Sequence, residues 1–166
     1  MEYNISILNK YTMNKIGIYI ALVLVLVISA AAKKKSDCDV RILKSELLKE
    51  LRPDFKYDSS TINKFSLNSE EQVKEVKIIL FSGEKYKMLF NTAALPSNFK
   101  IEIYDKPRTD KKRKLLFSAK DSEELEDHIY SFEPKKPQTM YINYILPASE
   151  ETVYGCSVLL MGYKIN

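Results

Sequence analysis

Residues 99–104 read FKIEIY and carry the cleanest two-residue alternation in the chain. The apolar side chains take the odd positions, whereas Lys100, Glu102 and Tyr104 take the even ones. Successive side chains of a β-strand point to opposite faces, so this pattern is typical of a strand with one buried face. The stretch predicts a strand and indicates a mainly β fold.

Similar stretches recur at short intervals on both sides. Residues 76–81 are apolar on both faces, which predicts a central strand. Further strands are predicted at 60–67, 85–90, 114–118, 129–132, 140–145 and 153–163, of which 60–67 has the weakest pattern. Turn-forming prolines separate many of them: Pro96, Pro107, Pro134, Pro137 and Pro147. Seven or eight short strands predict an antiparallel β-sandwich or jelly roll over residues 54–166.

In residues 39–51 the apolar side chains recur at helical spacing rather than at every second position. One face carries Val40, Leu43, Leu47 and Leu51, and Pro53 ends the pattern because the residue before a proline is pushed out of the helical region. We therefore predict a short amphipathic helix within residues 33–53, packed on the domain. An apolar face of this kind is usually buried, so we expect a lid over one open end of the sandwich rather than a docking face for a partner.

Residues 16–32, IGIYIALVLVLVISAAA, form an apolar run between basic flanks. Its 17 residues slightly exceed a signal-peptide core of about 7–15 residues and reach the lower end of the range for a spanning helix, about 17–25, so the length permits either. The small residues at 30–32, and a start at Met13 with a short basic region before the run, favour a cleaved signal peptide; whether the chain starts at Met1 or Met13 stays open. The lysines at 33–35 favour a retained N-terminal membrane anchor, in either orientation. We expect an exported protein that is periplasmic, envelope-associated or secreted, or else anchored to the inner membrane.

Two cysteines, Cys38 and Cys156, follow the apolar run. An even number of cysteines in an oxidising compartment indicates pairing, so we predict a possible disulfide between them. Two buried free thiols are the alternative. The net charge of +4 is too small to indicate a nucleic-acid partner.

A basic segment, KPRTDKKRK at residues 106–114, separates two predicted strands. Its possible ligand contacts are Arg108, Lys111, Lys112 and Arg113. They suit a phosphate-rich polysaccharide, lipid head groups or an acidic protein. A solvated hairpin tip is the simpler interpretation.

Three strand tyrosines are a second set of possible ligand contacts: Tyr104, Tyr141 and Tyr144. Exposed on one sheet face, their rings would stack against sugars, as in a carbohydrate-binding module. More often such residues complete the core with the hydroxyl at its rim.

Support for catalysis is sparse. His128 is the one imidazole that could serve a nucleophile, and no glycine-rich phosphate loop is present. The acidic segment at residues 121–127 lacks the ligand spacing and internal glycine of an EF-hand loop. We predict no catalytic, cofactor or metal residues, with an enzyme of unrecognised type as an alternative.

Four segments carry a resemblance to a known family: GEKYKMLFNT (83–92), NFKIEIYD (98–105), FEPKKPQTMYINY (132–144) and YGCSVLLMGYK (154–164). Their order resembles the pre-peptidase C-terminal type of β-sandwich found in exported bacterial proteins. The family usually has a glycine before the aromatic strand, where this chain has Pro137, Gln138 and Thr139. The chain is also similar to small exported β-rich proteins of Bacteroidota-type bacteria. The family's role as an appendage to secreted peptidases does not transfer to this chain, and the resemblance implies no defined activity. We expect an exported, non-catalytic β-sandwich protein that binds a protein or polysaccharide of the cell envelope or is itself an envelope component.

Overall fold

The structure is a computed structural model that describes residues 38–96, 98–119, 124–126 and 128–165. Within these residues one helix, α1 (Val40–Leu51), precedes nine strands. The strands are β1 (Lys56–Leu67), β2 (Gln72–Ile79), β3 (Glu84–Ala94), β4 (Lys100–Tyr104), β5 (Leu115–Ser118), β6 (Glu124–Glu126), β7 (Ile129–Phe132), β8 (Thr139–Leu146) and β9 (Val153–Ile165). The predicted signal peptide or anchor at 1–32 lies outside the described residues.

The strands form two antiparallel sheets. One has the order β1-β9-β3-β7-β6, and the other has the order β2-β8-β4-β5. Each predicted strand is present, and β6 is an additional short strand that the sequence pattern did not reveal. The prediction of a mainly β, antiparallel fold with one short helix is therefore confirmed.

Side chains from both sheets meet in one buried cluster. Ile103 of β4 and Ile142 of β8 contribute from the four-stranded sheet, and Met88 and Phe90 of β3 contribute from the five-stranded sheet. All four are fully buried. The removal of this apolar surface from water is the main force that holds the two sheets together.

Helix α1 covers the opposite face of the five-stranded sheet. Its buried residues Leu43, Leu47 and Leu51 pack with Leu89 of β3 and Leu160 of β9. The expected position, a lid over an open end, is thus wrong. The central strands β3 and β9 carry apolar residues on both faces, so the sheet has a second face that needs a cover.

Two links fix α1 on this face. A disulfide joins Cys38, just before the helix, to Cys156 in β9, which confirms the predicted pairing. The buried Asn91 of β3 donates hydrogen bonds from its Nδ2 to Glu46 Oε2 at 2.7 Å and to the carbonyl oxygen of Leu43 at 3.4 Å. The helix therefore belongs to the folded domain.

Strand β2 lies at an edge of the four-stranded sheet rather than at its centre. The apolar side chain of Ile79 is accordingly 53% exposed. The prediction of a central strand is wrong. Strand β2 has apolar residues on both faces but pairs with only one neighbouring strand, β8. Here the outer face of β2 is partly covered by the loop after β4.

In the part of the chain that the structure describes, no helix has both the length and the apolar character needed to cross a bilayer.

Candidate functional site

The basic segment forms a loop, residues 105–114, that folds back over the outer face of the four-stranded sheet. Asp105 and Lys114 close its base, where the Lys114 backbone N–H donates to Asp105 Oδ1 at 2.6 Å. At the far side the Arg108 backbone N–H donates to Glu75 Oε2 at 2.9 Å, and Arg108 Nη1 donates to the carbonyl oxygen of Val73 at 3.3 Å. Because β8 separates β4 from β2, the loop spans the sheet rather than projecting as a hairpin tip.

Arg113 holds the middle of this loop down. Its guanidinium carbon lies 3.8 Å from the centroid of the Tyr104 ring. It also donates from Nη1 to the Asn143 side-chain oxygen at 2.8 Å, while the Asn143 nitrogen donates to Glu75 Oε2 at 2.9 Å, with the amide oriented to satisfy both contacts. Asn143 is 1% exposed although it lies on the outer face of β8. The loop is therefore a packed part of the fold.

The four predicted basic contacts fall into two classes. The guanidinium groups of Arg108 and Arg113 make the contacts within the protein described above. Lys111 and Lys112 are exposed. Near them, the Lys112 backbone N–H donates to Asp110 at 2.7 Å, and this hydrogen bond lowers the pKa of the Asp110 carboxyl. Arg108 is also exposed, so of this set the two lysines are the members whose charged groups are not used in the loop contacts described above.

Tyr144 does not lie on the surface, which corrects its prediction as a ligand contact. Its side chain is fully buried and accepts a hydrogen bond at Oη from Asn63 Nδ2 at 3.0 Å. Its ring packs against Phe65, with centroids 5.4 Å apart, and burial raises the pKa of its hydroxyl. In β8 it follows Met140 and Ile142 at two-residue spacing, and all three side chains are buried on the same face. The alternation itself therefore indicates that Tyr144 is a core residue.

Tyr104 and Tyr141 are neighbours on the outer face, paired in register between β4 and β8. Both are half-buried. The Tyr104 hydroxyl donates to Glu102 Oε2 at 2.8 Å, and burial followed by this hydrogen bond raises its pKa. Because Arg113 lies over the Tyr104 ring, the predicted platform of three tyrosines is reduced to the exposed part of Tyr141.

A cleft of about 480 Å³ opens beside the base of the loop. We call it the lysine cleft, after Lys114, Lys135 and Lys136, which line it. Its apolar lining includes Phe132 and Pro134. The volume falls within the range of ligand clefts, about 300–1,000 Å³. Sequence reasoning missed Lys135 and Lys136, because two lysines between prolines look like an ordinary connection.

A smaller cleft of about 270 Å³ contains His128, together with Lys100 and Tyr130. His128 has a positive φ of 67°. It lies in the two-residue connection between β6 and β7, where short hairpin turns require positive φ values. The turn therefore accounts for this backbone conformation.

Among the described residues, no group of three or more histidine, cysteine, aspartate or glutamate side chains is arranged to hold a metal ion. The acidic segment at 121–127 lies largely outside those residues.

Comparison with known proteins gives no family for the chain: no protein-family model matches it, and no curated protein matches it.

Proposed function

We propose that the chain is an exported, non-catalytic β-sandwich protein that acts as a binding or envelope-associated component. The observation that carries the proposal is the disulfide between Cys38 and Cys156. Disulfides persist in oxidising compartments and are rare where glutathione and thioredoxin keep thiols reduced. The apolar run at 16–32 supports the same destination, as a signal peptide or as an inner-membrane anchor.

The sandwich or jelly-roll assignment belongs to this proposal. It is supported by the buried cluster to which both sheets contribute. The resemblance to the pre-peptidase C-terminal type also remains part of the proposal, because each of its four segments contains strand residues in the described fold. The departure at Pro137 is accommodated by the connection before β8.

Binding rather than catalysis is supported by the arrangement of exposed charge. Lys111 and Lys112 stand on a loop held in place by two arginines, and the lysine cleft lies at its base. A fixed surface with outward cations suits recognition of an acidic protein or polysaccharide. The alternative is sugar stacking on strand tyrosines. It has less support, because Tyr144 is buried in the core and Arg113 covers one face of the Tyr104 ring.

Cell fractionation of the native organism tests this proposal. Antibody detection in the periplasmic, envelope or secreted fraction, with a cytosolic marker protein as control, is the expected result. Mass spectrometry then separates the two forms of export. An N-terminus at Lys33 indicates cleavage, whereas a membrane-bound chain that retains residues 16–32 indicates an anchor. Recovery of the protein with the cytosolic marker would overturn the proposal.

A further inference from the structure

The lysine cleft is formed by two connections that lie far apart in sequence. Lys114 closes the loop at 105–114, and Lys135 and Lys136 lie in the connection between β7 and β8. Among the described residues, no carboxylate forms a salt bridge with any of these three lysines. Three lysines therefore line one concavity without a salt bridge to any described carboxylate, and lysines without such a partner attract anions.

The two carboxylates of the cleft weaken this charge without cancelling it. Asp105 already accepts the Lys114 backbone N–H at 2.6 Å, so one of its oxygens is turned toward its own loop. Glu133 is exposed. The adjoining loop adds the exposed cations Lys111 and Lys112. Across residues 105–114 the chain carries six cations and two carboxylates, so the segment beside the cleft has an excess of positive charge.

The apolar part of the cleft restricts the class of anion. Leu116, Phe132 and Pro134 line it, and the Phe132 ring packs on Phe117 with centroids 5.1 Å apart, which fixes its position. A pyranose ring presents C–H groups on its faces and polar groups at its edge. An aromatic and proline surface with a lysine border matches that distribution.

From this chemistry we propose that the lysine cleft binds an acidic polysaccharide, with sugar rings against Phe132 and Pro134 and the anionic substituents near Lys135 and Lys136. This rests on the proposed function, since it names the class of envelope ligand. A membrane surface fits less well, because a flat bilayer could place only a single lipid head group in a concave site. A single glycan chain can enter a cleft of about 480 Å³.

Isothermal titration of the purified, oxidised protein tests the proposal with defined probes at low salt. Trigalacturonic acid supplies carboxylated sugar rings, maltotriose supplies neutral ones, and a short polyglutamate peptide supplies carboxylates without rings. We expect binding of trigalacturonic acid, weakened by added salt, and at least tenfold weaker binding of the other two. A phosphorylated oligosaccharide in a parallel titration identifies which anionic group is preferred.

The variant K135E/K136E is expected to lose at least tenfold in affinity for trigalacturonic acid. Its matched control is K64E/K85E, which makes the same change in net charge at two exposed lysines of the five-stranded sheet. The control is expected to retain binding within about threefold, and circular dichroism checks that both variants are folded.

Three results would overturn the glycan site: no binding of either acidic sugar, equal binding of the polyglutamate peptide, or equal losses in the two variants. Equal binding of the peptide would instead indicate an acidic protein partner. None of these results depends on the compartment, so failure here leaves the proposal of export standing. A cytosolic location would likewise leave the binding result intact.

Discussion

Replacing Arg113 with alanine should release the loop at 105–114 from the sheet. The change removes the guanidinium from the Tyr104 ring, a contact of about 0.5–2 kcal/mol. It also removes a charge-assisted hydrogen bond to Asn143, which is 1% exposed, and such bonds contribute about 1.5–3 kcal/mol. With partial relaxation of the freed loop, we expect Arg113→Ala to lower the free energy of unfolding by about 2–3 kcal/mol.

Urea unfolding followed by far-ultraviolet circular dichroism measures this loss, since the chain contains no tryptophan. The matched control is Lys112→Ala, which removes the same charge from an exposed neighbour and should change stability by less than about 0.5 kcal/mol. Hydrogen exchange adds a local readout: the Arg108 amide, bonded to Glu75, should exchange faster in Arg113→Ala. Equal stabilities of the two variants, with unchanged exchange at Arg108, would refute the reasoning.

Three further predictions concern the disulfide and the core. Reduction of the Cys38–Cys156 bond, or Cys38→Ala, should lower the free energy of unfolding by about 5 kcal/mol, because the bond closes a sequence separation of 118 residues; equal urea midpoints with and without reductant would contradict this. Ser157→Ala should leave stability unchanged or raise it by up to about 1 kcal/mol, because within the described chain this buried hydroxyl has no hydrogen-bond partner; thermal melts decide, and a clear loss of stability would show that the hydroxyl is needed. Burial raises the pKa of Tyr144 in the folded state above its ordinary value of 10.0. The free energy of unfolding is therefore unaffected by this group below about pH 10, and it falls by about 1.4 kcal/mol per pH unit as the pH rises further. Urea titrations between pH 9 and 11 should show a shallower decline in Tyr144→Phe, and identical declines would count against a buried tyrosine.

The positions of the strands follow from local alternation, which is why the sequence pattern locates them well. Residues 99–104 contain β4, and 140–145 lie within β8. The period of two is a property of each strand alone and needs no knowledge of its neighbours. The short strand β6, by contrast, lies in an acidic stretch whose composition is typical of a loop.

Sheet order and layer assignment depend on contacts between distant residues. The apolar residues of β2 do not reveal that a loop, rather than a strand, lies over their outer face. The leucines of α1 predict that the helix is buried, but they do not specify whether it packs on a sheet face or over an open end. The position of α1 depends on the apolar second face of β3 and β9, which the pattern of a single strand does not identify.

The candidate site was predictable only in part. The charge of residues 106–114 was evident, but the inward contacts of Arg108 and Arg113 depend on β2 and β8 being neighbours. The two-residue alternation in β8 does indicate that Tyr144 is buried, because it places Tyr144 on the same face as Met140 and Ile142. The lysine cleft required the connection before β8 to approach the base of the loop, and no local pattern predicts that approach.

The redox state of Cys38 and Cys156 in living cells tests export most directly. Intact cells are treated with N-ethylmaleimide before lysis, and the protein is then reduced and labelled with a second, heavier maleimide. Peptide mass spectrometry reads which label each cysteine carries. The account predicts the heavier label on both cysteines, because the disulfide exists before the cells are opened. N-ethylmaleimide on both cysteines would mean that the thiols are free in the cell, and it would contradict an oxidising, exported location.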